Sequence, residues 1–372
     1  MEDFIHLHVH THYSILDGQS KIPHLVDKAI ADGMRGMAVT DHGVMYGIKE
    51  LADYCAGVNK KRKEEGLEPF KPILGCEMYV ARRRKEDKVK EMGDNSGYHL
   101  IVLAKNYNGY KNLIKLVSNA WTDGYYYRPR TDRADLERYH EDLIVCSACI
   151  AGEVPAKILK GDIAGAREAC EWYHNLFGDD YYLELQRHKV PDDPSLLANR
   201  EAYELQQKAN KVLIEFAREY GIKLVCTNDC HFEDKETAEA HDHLLCIATG
   251  KDLDDPNRMR YSKQEWFKTR EEMNEVFSDI PEALSNTLEV LDKVEIYSID
   301  HGPIMPFFPI PESFGTEEQL RQKVSEEDLY REFTTDENGE NQLSPEEGQK
   351  VIDRLGGYDK IYRIKFEAEY LR

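Results

Sequence analysis

Long hydrophobic runs are missing from this 372-residue sequence, and residues 1–30 lack the basic-then-apolar order of a secretory leader. Neither a membrane-spanning helix nor an export signal is expected, and a cytoplasmic address is. Positive charge is also short: 49 Lys and Arg face 70 Asp and Glu, for a formal net charge of -21. A surface built throughout to grip nucleic acid needs clustered cations, so this balance leaves room only for a local groove of that kind. The basic stretches at 60–63 and 82–90 read as solvated charge. Cysteine is thin as well, with residues scattered at 55, 76, 146, 149, 170, 226, 230 and 246. A chain of this size needs no disulfide staples, and the thiols are expected to be reduced. No internal repeat is present.

What the chain has is alternation. Short β-rich segments recur at 4–9, 36–40, 72–80, 100–104, 143–146, 181–185 and 222–227. Between them lie helical windows such as 22–31, with apolar Leu25, Val26, Ala29 and Ile30, and 197–220, with Leu205, Ala209, Leu213 and Phe216. Strand-helix alternation predicts an α/β fold with a parallel sheet, and seven units predict a closed or nearly closed barrel. A doubly wound open sheet competes; polar residues falling at strand ends favour the barrel. A barrel is expected at 1–290 and, at 291–372, a linker and the start of a second domain. Four prolines (Pro303, Pro306, Pro309 and Pro311) mark the linker, and an acidic stretch at 334–349 is flanked by helical patterns. The last helical pattern has no terminating signal at 367–372, which suggests a fragment.

Residues 6–14 read HLHVHTHYS. Successive strand residues face opposite ways, so His6, His8 and His10 share a face on which two imidazoles can chelate a metal. Barrel sites are built at the C-terminal ends of strands, which favours His8 and His10 and leaves His6 for packing. Other strand ends carry Thr40-Asp41-His42, Gly75-Cys76-Glu77, Cys146-Ser147-Ala148-Cys149 and Thr227-Asn228-Asp229-Cys230-His231. Imidazole, carboxylate and thiolate together suit zinc, with manganese or iron at the carboxylate-rich positions. The spacing of Cys146 and Cys149 also allows a zinc knuckle, and Asp17 and His99 read equally as turn or cap residues. Aromatic and basic residues at 125–130, YYYRPR, offer stacking and phosphate contacts to a frayed strand through Tyr126, Arg128 and Arg130, or a tyrosine-rich loop packed on the barrel. Arg82–Arg84 are similar candidates for phosphate contact.

The ordered motifs HLHVHTHYSILDG, AVTDHG, KPILGCEMYV, YHLIVLAKN, CSACIAGE and CTNDCHF resemble those of the PHP (polymerase and histidinol phosphatase) superfamily. Their order, spacing and flanks resemble its branch in bacterial DNA polymerase III alpha subunits, from Phe4 to about Pro309. The resemblance implies a distorted, TIM-barrel-like (β/α)7 barrel with nine ligands for up to three divalent metals. Carried over, the pattern gives His8, His10, Glu77 and Asp229 to one metal, with Glu77 bridging to a second held by His99 and Cys149. Asp17, His42 and His231 would hold a third. All nine positions carry competent side chains.

Clustered divalent cations activate water and clamp phosphate oxygens, so phosphoester hydrolysis is the expected reaction. By resemblance, the substrate is the 3′ end of a DNA strand and the activity a 3′–5′ exonuclease, within a subunit whose remainder is a DNA-directed DNA polymerase. That remainder, the sliding clamp, the clamp loader and a proofreading subunit are the implied partners. The polymerase carboxylates are expected beyond residue 372, with 291–372 only the first part of the palm. Two rival readings are a stand-alone phosphatase acting on a small phosphate ester and a metal-stabilised domain without catalysis.

Overall fold

The computed structural model describes residues 1–191, 200–303, 310–335 and 343–371. Seven strands form one sheet: β1 (Gly36–Val39), β2 (Lys71–Ala81), β3 (Gly97–Ala104), β4 (Arg130–Thr131), β5 (Leu143–Cys146), β6 (Tyr181–Gln186) and β7 (Lys223–Thr227). Their order is β1-β2-β3-β5-β6-β7, with the short β4 beside β2. The sheet is mixed rather than parallel, because β3 runs antiparallel to both β2 and β5. Its cause lies in the 82–96 connection, which holds only a 3₁₀ turn at Lys90–Met92. Without a crossover helix to carry it round, the chain returns alongside β2 as a hairpin.

The first expected strand, 4–9, is buried but bends at Leu7 and His8 and is not a ladder strand; among the described residues its one bridge is Val9 to Cys230. Pairing is interrupted where the Val9 N–H donates to the Thr40 hydroxyl at 2.9 Å instead of a carbonyl. The segment nevertheless joins the two ends of the curled sheet. On one side Ala38 N donates to His6 O (2.8 Å) and Thr40 N to Val9 O (2.9 Å); on the other, Cys230 N donates to His8 O (3.2 Å) and His10 N to Cys230 O (2.8 Å). The alternating histidines are thereby clamped at the seam of a distorted barrel.

Helices cover the outside as the apolar periodicity requires. Ile22–Ala31 buries Ile22, Leu25, Val26 and Ala29, and the chain leaves it through Gly33 in the left-handed region (φ 81°). Glu201–Tyr220 buries Ala209, Leu213 and Phe216; positions 197–199 of that window lie outside the described residues. The chain divides into Met1–Asp300 and His301–Arg372. The division falls after Asp300 and not at 290, because helix Pro281–Lys293 runs through 290 and Tyr297 and Ile299 still pack on the barrel core. The second unit holds helices Glu317–Arg321, Glu326–Thr334, Pro345–Leu355 and Tyr358–Tyr370 around Leu320, Leu329, Ile352 and Ile361. Thr316, Ser325 and Ser344 begin three of these helices with capping boxes. Pro306, Pro309 and residues 336–342 of the acidic stretch lie outside the described residues.

Arg130 corrects an expectation. It is fully buried, and its guanidinium donates to the carbonyls of Gly124 (3.0 Å), Asp87 (3.0 Å), Asp94 (2.8 Å) and Lys85 (2.7 Å). With its donors so engaged it holds loops together and is unavailable to a substrate. Arg130→Met strands these carbonyls and is expected to cost on the order of 3 kcal/mol in urea unfolding, whereas a loss below about 0.5 kcal/mol would contradict the staple.

Candidate metal centre

The antiparallel register of β2 and β3 builds the floor of the site. Tyr79 pairs with His99 and Glu77 with Ile101, so Glu77 and His99 are diagonal neighbours on one face, with His99 Nδ1 2.8 Å from Glu77 Oε1. His99 therefore lies within β3 and not ahead of it. Glu77 also reaches the seam: its Oε1 is 3.3 Å from His8 Nε2 and its Oε2 is 3.6 Å from His10 Nε2. The loop after β1 brings His42 against Glu77, where Nδ1 abuts Oε2, and places His42 Nε2 2.9 Å from Asp17 Oδ2. From beyond β7, Asp229 Oδ1 lies 3.0 Å from His8 Nε2 and 3.3 Å from His10 Nε2.

Donor atoms group most tightly as His8/His10/Asp229, His42/Glu77/His99 and His10/His42/His231. The sequence-derived grouping and this one interleave. Asp17 and Cys149 stand just outside these triads but touch them: Asp17 Oδ2 is 3.8 Å from His231 Nε2, and Cys149 Sγ is 3.7 Å from His99 Nδ1. All nine residues thus converge on one mouth of the sheet. Backbone strain converges there too, since Leu16, Ala148 and Asp229 have φ values of 63°, 61° and 46°. Two of them immediately precede Asp17 and Cys149, and the third is a donor itself.

Burial alone would raise the Glu77 and Asp229 carboxyls, but His99 and His42 around the first, and His8 and His231 around the second, hold both well below the usual carboxylate range. Burial would lower His8, yet Asp229 and Glu184 outweigh it and raise the imidazole. His10 is pushed down to about 3 by burial, with His42 and His231 adding to the shift. The pocket thus draws positive charge to its carboxylates. Asp17 Oδ1, His42 Nδ1, Glu77 Oε2 and Asp229 Oδ1 are buried without a well-formed hydrogen bond, although His42 Nδ1 faces Glu77 Oε2 and Asp229 Oδ1 faces His8 Nε2. Poorly satisfied lone pairs in this position are costly, and divalent cations would satisfy them, so the residues present fit a metal cluster.

Cys146 stays in the buried core of β5 and belongs to none of the triads. His6 also packs apart from them, against Phe267, with its Nε2 2.8 Å from the Lys268 carbonyl oxygen. Tyr126 leans on Arg130, 5.6 Å from its guanidinium carbon, and does not line the cleft beside the site; Arg128, Tyr125 and Tyr127 do. Arg82 lies over Tyr98, and Arg83 pairs with Asp94.

Sequence reasoning missed Glu184. It is buried in β6, and its Oε1 accepts from His8 Nδ1 (2.7 Å), Thr227 Oγ1 and Gln186 Nε2 (3.0 Å). The hydrogen bond leaves His8 Nε2 as the free face toward Asp229 and Glu77. Its signal was a lone carboxylate inside the apolar run Tyr181–Leu185. Tyr261 was also missed: its phenol lies 3.2 Å from His231 Nε2 and 3.3 Å from Asp17 Oδ2.

Residues 6–188 match the PHP domain family model, and this part of the chain is a PHP domain. It is 40% identical over 337 residues to DNA polymerase III subunit alpha of Borreliella burgdorferi, covering 89% of this chain and 27% of that protein. Against the same subunit of Campylobacter jejuni it is 34% identical over 387 residues, covering 100% of this chain and 30% of the relative. The chain therefore spans between a quarter and a third of the curated relatives it matches. A solved histidinol phosphate phosphatase of Lactococcus lactis, complexed with zinc, L-histidinol and phosphate, aligns over 67% of this chain and 94% of its own. At 16% identity and a TM-score of 0.29, that likeness carries no argument about the site. No helix of the described residues is long and apolar enough to cross a membrane.

Two expectations follow. If Glu184 orients His8 for a metal, Glu184→Gln should weaken metal retention by at least roughly tenfold in equilibrium dialysis read by elemental mass spectrometry, and wild-type retention would contradict that role. His6 is pushed down to about 3 by burial. Its folded value lies below the unfolded one, so the unfolded chain takes up the proton first and stability falls as pH drops from about 6.5 towards 3. His6→Gln should flatten the loss in metal-stripped protein by up to about 1.4 kcal/mol per pH unit, and an unchanged slope would contradict a neutral buried imidazole.

Proposed function

We propose that this PHP domain is a metal-dependent phosphoesterase that removes nucleotides from the 3′ end of a DNA strand. The observation carrying the proposal is the convergence of seven donor side chains in three interleaved triads, with Asp17 and Cys149 in contact with them, at one mouth of the sheet. His8, His10, Glu77 and Asp229 would hold one cation, Glu77 with His99 and Cys149 a second, and Asp17, His42 and His231 a third. Zinc suits this mixture of imidazole, carboxylate and thiolate best, with manganese or iron as alternatives. When bound, such cations supply Lewis acidity and an activated water for in-line attack on phosphorus.

The protein's own groups do the positioning. Glu184 fixes the ring of His8, the Tyr261 phenol steadies Asp17 and His231, and burial of Glu77 and Asp229 keeps competing water from their oxygens. Arg128, exposed at the rim over the Tyr79 ring, supplies a cation for a phosphate.

Similarity to polymerase III alpha subunits supports a place for this domain in DNA replication, attached to a DNA-directed polymerase whose catalytic carboxylates lie outside residues 1–372. On that reading 291–372 begin the palm, the setting is the cytoplasm, and the sliding clamp, clamp loader and proofreading subunit are partners of the complete subunit.

The test is nucleotide release from 3′-labelled single-stranded DNA, with and without added zinc or manganese, beside a His10→Ala protein prepared identically. Metal-dependent release that falls at least about a hundredfold in the variant is expected. Equal release from both proteins, or none under any metal, would contradict the proposal.

A further inference from the structure

Beside Asp17 and His42 the mouth opens into a cleft of about 440 Å³. Six large aromatic side chains are exposed among the described residues, and four of them, Tyr46, Trp121, Tyr125 and Tyr127, line this one cleft. Scattered exposed rings need no explanation, but concentration on one wall beside a reactive centre does. Two of the rings are held in place. The Trp121 indole N–H donates to the Gly43 carbonyl at 2.8 Å, one residue from His42, and Tyr125 stacks on Trp121 with centroids 5.4 Å apart and planes 16° from parallel. Gly43 has φ +62°, and a Cβ there would lie 2.8 Å from Pro129 Cγ and 3.2 Å from Tyr79 Cε2, so the wall's approach to His42 requires glycine.

Cations complete the cleft. The Arg128 guanidinium lies 5.6 Å from the Tyr79 ring centroid and makes no ion pair among the described residues. The Lys90 ammonium sits 5.9 Å from the centroid of Tyr127. Flat π faces, free cations and a phosphoester-cleaving centre in sequence match the repeating chemistry of a single strand: base, phosphate, base. A purely apolar partner would use the rings but would leave the unpaired guanidinium without a counter-charge.

We propose that the Trp121–Tyr125 wall is a stacking platform for a base near the end of single-stranded nucleic acid, with Arg128 on a neighbouring phosphate and the scissile phosphate directed to His42 and Asp17. The platform rests on the phosphoesterase reading and supplies its substrate contacts. It is independent of sequence, because every base presents a π face. It also reconciles strand binding with an acidic chain, since the contact is local and largely aromatic.

Trp121 is its own reporter. Tryptophan emission of the metal-stripped full chain is titrated with an oligothymidylate and with an abasic oligonucleotide of equal length. The thymidylate should quench and bind roughly tenfold or more tightly than the abasic strand, Trp121→Phe should abolish the quench, and the surface variant Tyr125→Ala should bring thymidylate binding down to the abasic level. Arg128→Gln should weaken both strands and shallow the salt dependence. Equal binding of the two strands, absence of binding, or thymidylate binding by Tyr125→Ala as tight as wild type would overturn the platform. Hydrolysis is scored separately with metal restored: base-dependent binding without hydrolysis removes the phosphoesterase reading and leaves the platform standing, whereas metal-dependent hydrolysis with base-independent binding removes the platform alone.

Discussion

Glu77 and Asp229 are carboxylates buried among imidazoles at the mouth of the sheet, and the surrounding architecture exists to keep them there. Neither could remain ionised in such a place without positive charge beside it. The imidazoles of His99 and His42 beside Glu77, and of His8 and His231 beside Asp229, hold both carboxyls well below the usual carboxylate range, each delivered by a different stretch of chain. The seam segment carrying His8 and His10 is clamped by hydrogen bonds on both sides, Glu184 locks His8 from beneath, and Asp41 ties down the following loop by accepting from Thr11 N and Ser14 Oγ. Strain at Leu16, Ala148 and Asp229 is tolerated at the same rim. A fold stabilised only by its apolar core would not require this concentration of buried charge.

Much of the frame could be read before any coordinates. Strands bearing continuous apolar residues, such as Leu143–Cys146, and helices with clean periodicity, such as Ile22–Ala31, stand where their patterns put them. Direction was not legible. Nothing in the composition of Gly97–Ala104 says that it runs against its neighbours; that follows from a connection without a crossover helix. Nor could the pattern of 4–9 show that Thr40 would take the place of a backbone partner and break its ladder.

The site divides in the same way. Donor residues at strand ends announce themselves by type and position, whereas the groups that orient them do so by contact. Glu184 looks like an isolated polar residue in a strand until His8 is found against it. Arg130 and Arg128, two residues apart, look alike in sequence; one spends its donors on four buried carbonyls and the other is open to solvent over Tyr79. Trp121 drew no notice because its role depends on Gly43, far away in the chain. These are tertiary facts, and they separate the residues that hold the mouth together from those free to meet a ligand.

The claim on which the rest depends is that this mouth is a metal cluster. Anomalous diffraction from crystals of the protein grown with manganese or zinc tests it most directly. The account predicts at least two separate peaks within about 2.0–2.4 Å of donor atoms from the nine residues, with Glu77 beside both. No peak among these donors, or ordered metal only elsewhere on the surface, would contradict it.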